Sequence, residues 1–143
     1  MPSGFRIHQS VAVDFNPETL ERLTALGFES RYGDIANAET LRHAGIERAA
    51  VVVSSISDWM LKGTTNARIL RQVRSLAPSA QIVVAADSVA GAADLYAEGA
   101  DYVLIAPVLA AGHLYDLLRH RTAEAIQEAR QRQELELGER AVE

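Results

Sequence analysis

The sequence predicts an α/β protein, a three-layer Rossmann-like sandwich with a mainly parallel sheet of five strands. Apolar strand-like runs alternate along the chain with helical patterns, and this alternation is typical of a parallel sheet with helices on both faces. The third and fourth runs are continuously apolar, as expected for strands that are buried on both faces. A length of 143 residues, 48% of them apolar and 23% charged, suits one globular domain.

Five short segments carry the strand signal. They are Val11–Asp14, Phe28–Tyr32, Ala49–Ser54, Gln81–Ala85 and Tyr102–Ile105. The second segment is short and polar enough to be an edge strand, whereas the third and fourth are apolar enough to lie inside the sheet.

Helices are predicted after each strand, where apolar residues recur at helical spacing between capping residues. They run from Pro17 to Gly27, Asn37 to Ala44, Asp58 to Leu76, Ser88 to Gly99, and Pro107 to beyond Arg132. Asn16 is the expected N-cap of the first helix, and Trp59 is expected to pack at the start of the third. An i,i+4 pair of Glu128 with Arg132 would support the last helix, and fraying or disorder is expected from Gln133 onward.

Composition excludes several classes of site and partner. The net charge is −5, and the arginines near the C-terminus alternate with glutamates, so no nucleic-acid partner is expected. The absence of cysteine excludes disulfides and thiolate ligands, and the four histidines lack the spacing of a metal pair. No apolar run approaches the ~20 residues of a membrane span, and the start lacks a signal-peptide pattern, so a soluble cytosolic protein is expected.

Two acidic residues follow the first two strands. Asp14 closes the first strand, and Asp34 follows Gly33 after the second. In a Rossmann-like sheet, an acid at the carboxyl end of a strand accepts hydrogen bonds from the ribose hydroxyls of an adenine nucleotide. The alternative is local, because Asp14 begins an Asp-x-Asn-Pro turn and Gly33-Asp34 can begin a turn into a short helix. Both interpretations stay open.

A series of motifs, taken in order, resembles a known family. The series is Asp14-Phe15-Asn16-Pro17, then Tyr32-Gly33-Asp34, then Glu39 to Ala49, then Val51 to Asp58, then Thr65-Asn66-Ala67-Arg68, then Glu98 to Val103. Together these motifs resemble the RCK N-terminal domain (KTN or TrkA-N), which regulates potassium channels, Trk uptake systems and Kef-type cation:proton antiporters. The resemblance covers residues 11–118. Residues 1–118 are therefore predicted to form this domain, and residues 119–143 a helical extension and tail.

The resemblance implies a nucleotide site and a regulatory role. Asp14 would bind the ribose, Asp34 would approach the adenine, and the residues at the tip of the third strand would line the pocket. The implied site consists of Asp14, Asn16, Gly33, Asp34, Ile35, Ser54, Ser55 and Ile56. The expected ligand is NAD(H) or AMP, bound weakly, with no catalytic residue and no metal. The expected role is a non-catalytic cytosolic module of a membrane transporter, antiporter or channel for potassium or another monovalent cation.

One large part of the family pattern is missing before Asp14. The family's first strand, glycine-rich turn and first helix do not fit into thirteen residues, so an N-terminally truncated domain is expected. That turn supplies N–H groups to the pyrophosphate, which is why weak binding is expected. The strand order 3-2-1-4-5-6 would lose its central strand. Either the sheet closes up, with Phe5–Gln9 lengthening the first strand, or a partner chain fills the gap.

A homodimer is expected from the last predicted helix. Its apolar stripe continues beyond what one small sheet covers, and a second copy would bury it in an isologous contact. The alternative is that the helix folds back on its own domain. The stripe consists of Leu114, Leu117, Leu118 and Ile126. Members of the family resemble one another in pairing through this half of the domain.

The main alternative is a receiver-like signalling or interaction module. Its strand order, 2-1-3-4-5, needs no missing strand. Phosphotransfer is excluded, because Ser54 and Ser55 stand where an acceptor aspartate is needed and Ala106 stands where a lysine is needed. A methyltransferase-like enzyme would need the same missing glycine-rich loop, so enzyme activity is not expected.

Overall fold

The computed structural model describes residues 10–119 and 122–142. These residues form two compact units, the first ending at Leu104 and the second beginning at Ile105. The elements in chain order are β1 (Val11–Asp14), α1 (Pro17–Ala25), β2 (Glu29–Tyr32), α2 (Ala38–His43), a 3₁₀ turn (Ile46–Arg48), β3 (Val51–Ser54), α3 (Asn66–Leu76), β4 (Gln81–Ala86), α4 (Val89–Ala97), β5 (Tyr102–Ile105), α5 (Ala106–Arg119) and α6 (Ala123–Val142). The division into domains at residue 118 stays a prediction.

The predicted α/β fold is confirmed, with the five strands arranged in two parallel sheets. β1 pairs with β2, with Val11 opposite Glu29 and Asp14 opposite Tyr32. In the second sheet β4 lies between β3 and β5, and β3 pairs with β4 from Val51 onward. The helices between paired strands supply the crossovers that parallel connections require.

The two sheets are separate because no strand among residues 10–119 and 122–142 bonds to both β1 and β3. The orders β2-β1 and β3-β4-β5 correspond to the order 3-2-1-4-5-6 without its central strand. The described strands therefore do not close into one five-stranded sheet. The predicted lengthening of the first strand by Phe5–Gln9 lies outside the described residues.

The core of the first unit is built on the three-stranded sheet. Ile82 and Val84 of β4 are fully buried, as are Leu70 and Val73 of α3. Leu70 and Val73 stand three residues apart and so share the face of α3 that packs on the sheet. The prediction that the fourth strand is buried is confirmed.

The third strand differs from its prediction of burial on both faces. Val51 is 52% exposed and Val53 is 56% exposed, whereas Val52 between them is half-buried. Side chains two residues apart point to the same face of a strand, so one face of β3 is open. The prediction was wrong because an apolar run shows that a strand is suited to burial, not that a partner covers it.

The third helix begins at Asn66, eight residues later than predicted. Thr65 is its N-cap, with extended backbone and a side-chain oxygen that accepts the N–H of Arg68 at 3.3 Å. Gly63, with a φ of +73°, breaks any helical path before that cap. Trp59 lies in a turn before the helix and is 80% exposed, so its predicted packing role is wrong.

The predicted last helix is two helices, α5 and α6, which form the second unit. Thr122 begins α6, because its Oγ1 accepts the N–H of Ala125 at 3.2 Å. The predicted fraying from Gln133 is wrong, since α6 continues to Val142 and carries an Arg130–Glu134 ion pair of 2.7 Å. Among the described helices, none combines the length and the apolarity needed to cross a bilayer.

Arg74 links α3 to the residues that directly precede β4 and β5. Its guanidinium donates to the carbonyl of Ala80 at 2.8 Å and to Asp101 Oδ2 at 2.9 Å. Asp101 Oδ2 also accepts the N–H of Ile82 at 2.7 Å. The Ile82 N–H and, after it, the Arg74 guanidinium hold the pKa of Asp101 below its ordinary value of 3.8.

Candidate functional site

Asp14 ends β1 and turns the chain into α1. Its Oδ1 accepts the N–H of Asn16 at 2.9 Å, and Asn16 Oδ1 accepts the N–H of Glu18 at 3.1 Å. Asn16 is therefore the N-cap of α1, as predicted, and Pro17 occupies the first helical position. This turn uses only one carboxylate oxygen of Asp14, so Oδ2 takes no part in it.

Asp34 is held near Asp14 by the pairing of β1 with β2. The N–H of Gly33 donates to the carbonyl of Asp14 at 3.1 Å, which extends the ladder past the last residue of β2. Asp34 Oδ1 accepts the N–H of Ala36 at 2.8 Å, and the chain turns through half-buried Ile35 toward α2. Both aspartates therefore use Oδ1 for a local turn at the carboxyl ends of neighbouring strands.

Gly33 is required by the close packing of α2 on this edge. A Cβ added at Gly33 would overlap the Cγ2 atom of Thr40. Asn37 fixes the start of α2, because its Oδ1 accepts the N–H of Glu39 at 2.8 Å. A residue without a side chain thus allows β2 to end close against α2 and keeps Asp34 beside Asp14.

Ser54, Ser55 and Ile56 lie at the carboxyl end of β3, in the other sheet. Ser54 Oγ donates to Asn66 Oδ1 at 2.7 Å, and Asn66 Nδ2 donates to the Ile56 carbonyl at 2.8 Å. Ser55 is exposed. Reasoning from sequence misses Asn66, because an asparagine next to a predicted helix gives the same signal as an ordinary capping residue. Its place in the Thr65-Asn66 motif is the one signal that points to it.

The structure brings the predicted residues together as two clusters. The first cluster contains Asp14, Asn16, Gly33, Asp34 and Ile35, and the second contains Ser54, Ser55 and Ile56. Within the part of the chain that the structure describes, no hydrogen bond joins one cluster to the other. The assignment of these eight residues to a ligand stays a prediction.

The first cluster suits a ligand that donates hydrogen bonds. Two carboxylates stand at the carboxyl ends of parallel strands, which is the edge where open α/β sheets bind ligands. The ribose hydroxyls and the adenine amino group are donors that such acceptors can bind. Neither cluster contains a cationic side chain. The residues therefore fit the adenosine part of a nucleotide better than its phosphates.

Comparison with known families identifies the domain. The sequence model of the TrkA-N domain matches residues 4–106. The chain belongs to the TrkA-N family. This confirms the resemblance found in the motifs, and TrkA-N and RCK domains of potassium channels and transporters are regulatory nucleotide-binding modules rather than enzymes. No curated protein sequence matches the chain.

Solved structures share the fold of this TrkA-N chain. The TrkA-N domain of the inner membrane protein ybaL from Escherichia coli is 21% identical, with a TM-score of 0.65 over 76% of this chain and 77% of that one. The NAD(P)-binding domain of an exopolyphosphatase-related protein from Archaeoglobus fulgidus is 21% identical, with a TM-score of 0.59 over 77% and 79%. The GsuK channel bound to NAD is 25% identical, with a TM-score of 0.55 over 66% of this chain and 16% of the channel chain.

Proposed function

We propose that this TrkA-N chain is a non-catalytic cytosolic module that binds the adenosine part of AMP or NAD(H). Its partner is a membrane channel, transporter or antiporter for potassium or another monovalent cation. The observation that carries the ligand proposal is the position of Asp14 and Asp34 at adjacent strand ends, tied by the 3.1 Å bond from Gly33 to Asp14. GsuK structures with NAD and with ADP support this class of ligand.

Each aspartate has a separate role in the proposed complex. Asp14 accepts hydrogen bonds from the ribose hydroxyls, and Asp34 accepts one from the adenine amino group. Ser54, Ser55 and Ile56 at the carboxyl end of β3 line the pocket, as the family resemblance implies. Affinity is weak, because the two clusters offer carboxylates and hydroxyls but no cation to pair with the phosphates.

The two-stranded sheet suits a regulatory role. No residue of β1, α1 or β2 is buried, so this region has few packing contacts that fix its arrangement. A ligand that bridges the ends of β1 and β2 adds contacts where the protein has few. The nucleotide thereby favours one arrangement of the module, and that preference is passed to the transporter without any chemical turnover.

The proposed assembly is a homodimer formed through the second unit. Three side chains of the predicted stripe are about half exposed, Leu114 at 52%, Leu118 at 48% and Ile126 at 45%. An isologous contact would bury the stripe of both copies at once. Light scattering at micromolar concentration is expected to give twice the chain mass of 15.5 kDa. A monodisperse species with the mass of one chain would contradict the dimer.

Titration calorimetry with AMP tests the ligand proposal. In Asp14→Asn, the Oδ1 turn is kept while the Oδ2 acceptor becomes a donor, and the loss of one hydrogen bond should weaken AMP binding about tenfold. Glu29→Gln removes the same charge at the opposite end of the two-stranded sheet and should leave the affinity unchanged. Unaltered binding in both Asp14→Asn and Asp34→Asn would place the nucleotide elsewhere.

Inosine monophosphate separates the two aspartates, because it lacks the amino group of adenine. The wild-type chain should prefer AMP, and Asp34→Asn should reduce that preference while Asp14→Asn weakens both nucleotides equally. If Asp34→Asn prefers AMP over inosine monophosphate as strongly as the wild-type chain does, Asp34 does not bind the adenine amino group.

A further inference from the structure

Asn66 is a polar residue with no exposed surface, at the start of α3. Burial of an amide is costly unless every polar atom has a partner, and this side chain has a full set. Oδ1 accepts from Ser54 Oγ at 2.7 Å, and Nδ2 donates to the Ile56 carbonyl at 2.8 Å and to Asp58 Oδ1 at 2.7 Å. The backbone N–H of Asn66 also donates to Asp58 Oδ1, at 2.7 Å.

These partners fix which way the amide of Asn66 points. A carbonyl and a carboxylate can only accept, so the two Nδ2 hydrogens must be directed at Ile56 and Asp58. Oδ1 then faces Ser54, whose hydroxyl supplies the hydrogen. The hydroxyl hydrogen of Ser54 and the carbonyl of Ile56 are both engaged with Asn66.

The bonding continues from Asp58 to the end of β4. The backbone N–H of Asp58 donates to Asp87 Oδ2 at 3.2 Å, and the hydroxyl of Ser57 donates to Asp87 Oδ1. Asp87 directly follows β4. The segment after β3 is therefore attached at one side to the start of α3 and at the other to the end of β4. Trp59 projects from this segment and is 80% exposed.

We infer that Asn66 is the positioning residue of the second cluster. It sets the backbone of residues 54–58 through bonds to both sides of Ser55, and it links that segment to α3. The group left to donate a hydrogen bond to a ligand at the end of β3 is then the exposed Ser55 hydroxyl. This arrangement complements the acceptors Asp14 and Asp34 of the first cluster. The ligand part of the inference rests on the proposed function, whereas the ordering of the segment does not.

Trp59 reports on the segment directly, because it is the only tryptophan of the chain. Asn66→Ala removes three side-chain bonds, and the fluorescence anisotropy of Trp59 should fall while amides 55–58 exchange with solvent about tenfold faster. Thr65→Ala is the matched control, since it removes the N-cap of the same helix and leaves the Asn66 bonds in place. Its Trp59 anisotropy should stay at the wild-type value. Equal anisotropy in Asn66→Ala and Thr65→Ala would overturn the inference.

Asp58→Ala covers the case in which Asn66→Ala does not fold. Asp58 is exposed, and its removal breaks two of the bonds to Asn66 without opening a cavity. The anisotropy of Trp59 should fall in this variant too, and an unchanged value would count against the inference.

AMP provides the functional arm of the experiment. Its affinity should drop about tenfold in Asn66→Ala or Asp58→Ala and stay within about twofold of wild type in Thr65→Ala. Wild-type AMP affinity in a variant whose Trp59 has become mobile would overturn the positioning role. If the wild-type chain binds no AMP, the proposed function fails by itself, and the anisotropy and exchange results still decide whether Asn66 orders the segment.

Discussion

The two sheets of the first unit differ in how deeply they are buried. In the three-stranded sheet, Ile82 and Val84 are 1% and 0% exposed, whereas no residue of β1 or β2 is buried and Val11 is 41% exposed. Both sheets are parallel, and both carry predicted site residues at their carboxyl ends. Stability is therefore concentrated in one sheet, and the two aspartates of the proposed ligand site lie on the other. Because the two-stranded sheet has few buried contacts of its own, the free energy of a bound ligand makes up a larger share of its local stability.

The largest expected effect comes from the core of the three-stranded sheet. Leu70→Ala should lower the free energy of unfolding by about 2–5 kcal/mol, because it empties space in a closely packed region. Leu23→Ala on α1 should lower it by only about 1 kcal/mol, since Leu23 is half-buried. Urea denaturation measures both values. Equal losses in the two variants would show that the two halves are equally well packed.

A smaller loss is expected where β2 meets α2. Gly33→Ala should cost about 1–3 kcal/mol, because the new Cβ overlaps Thr40 Cγ2 and either the helix or the strand must shift. Adding Thr40→Ala removes the clashing methyl group and should restore most of that stability. Urea denaturation of the single and double variants checks the coupling, and a double variant no more stable than Gly33→Ala would refute the packing explanation.

Removing one helix cap beside each sheet compares the two regions with substitutions of equal expected effect on the free energy of unfolding. Asn16→Ala in α1 and Ser88→Ala in α4 should each lose about 1 kcal/mol, because each side chain accepts one N–H of the first turn. The effects should differ in extent. Hydrogen exchange in Asn16→Ala should speed up only in β1, α1 and β2, whereas Ser88→Ala should act on the whole first unit. A uniform increase in exchange for Asn16→Ala would mean that the halves unfold together.

The smallest effect is expected from the exposed carboxylate of Asp101. Its pKa is lowered in the folded chain, so its contribution is complete above the ordinary value of 3.8 and is lost as the pH falls through the lowered pKa. Asp101→Asn should therefore be less stable than wild type at pH 7, and the difference should shrink as the pH is reduced below 3.8. Urea midpoints at a series of pH values measure this. A difference that stays constant with pH would assign the effect to packing.

The sequence predicts well the structural features that depend on residues close together in the chain. Asn16, Asn37 and Ser88 were each expected to begin a helix, and each accepts an N–H of the first turn. The strands agree with their predictions to within two residues, because apolar runs and their flanking turns are local features. The positions of Asp14 and Asp34 at neighbouring strand ends also follow from the parallel arrangement.

Features that depend on distant partners could not be predicted in the same way. α3 begins late although a helical pattern in the sequence continues across residues 58–65, and in the structure Asn66 at its start binds Asp58, eight residues earlier. Trp59 is 80% exposed in a segment whose Ser57 and Asp58 bind Asp87, a residue about 30 positions away that directly follows β4, and no local pattern in the sequence indicates that partner. The apolar run of β3 indicates a strand, but it carries no information about which faces have partners.

The open face of β3 has a thermodynamic consequence. Val51 and Val53 already meet water in the folded state, so unfolding exposes less new apolar surface than it would in a sheet covered on both faces. The heat capacity of unfolding, and with it the curvature of stability against temperature, is correspondingly reduced. A segment that binds over Val51 and Val53 would bury apolar surface, and calorimetry would measure a negative heat-capacity change of association. A ligand bound only to polar groups does not produce that change.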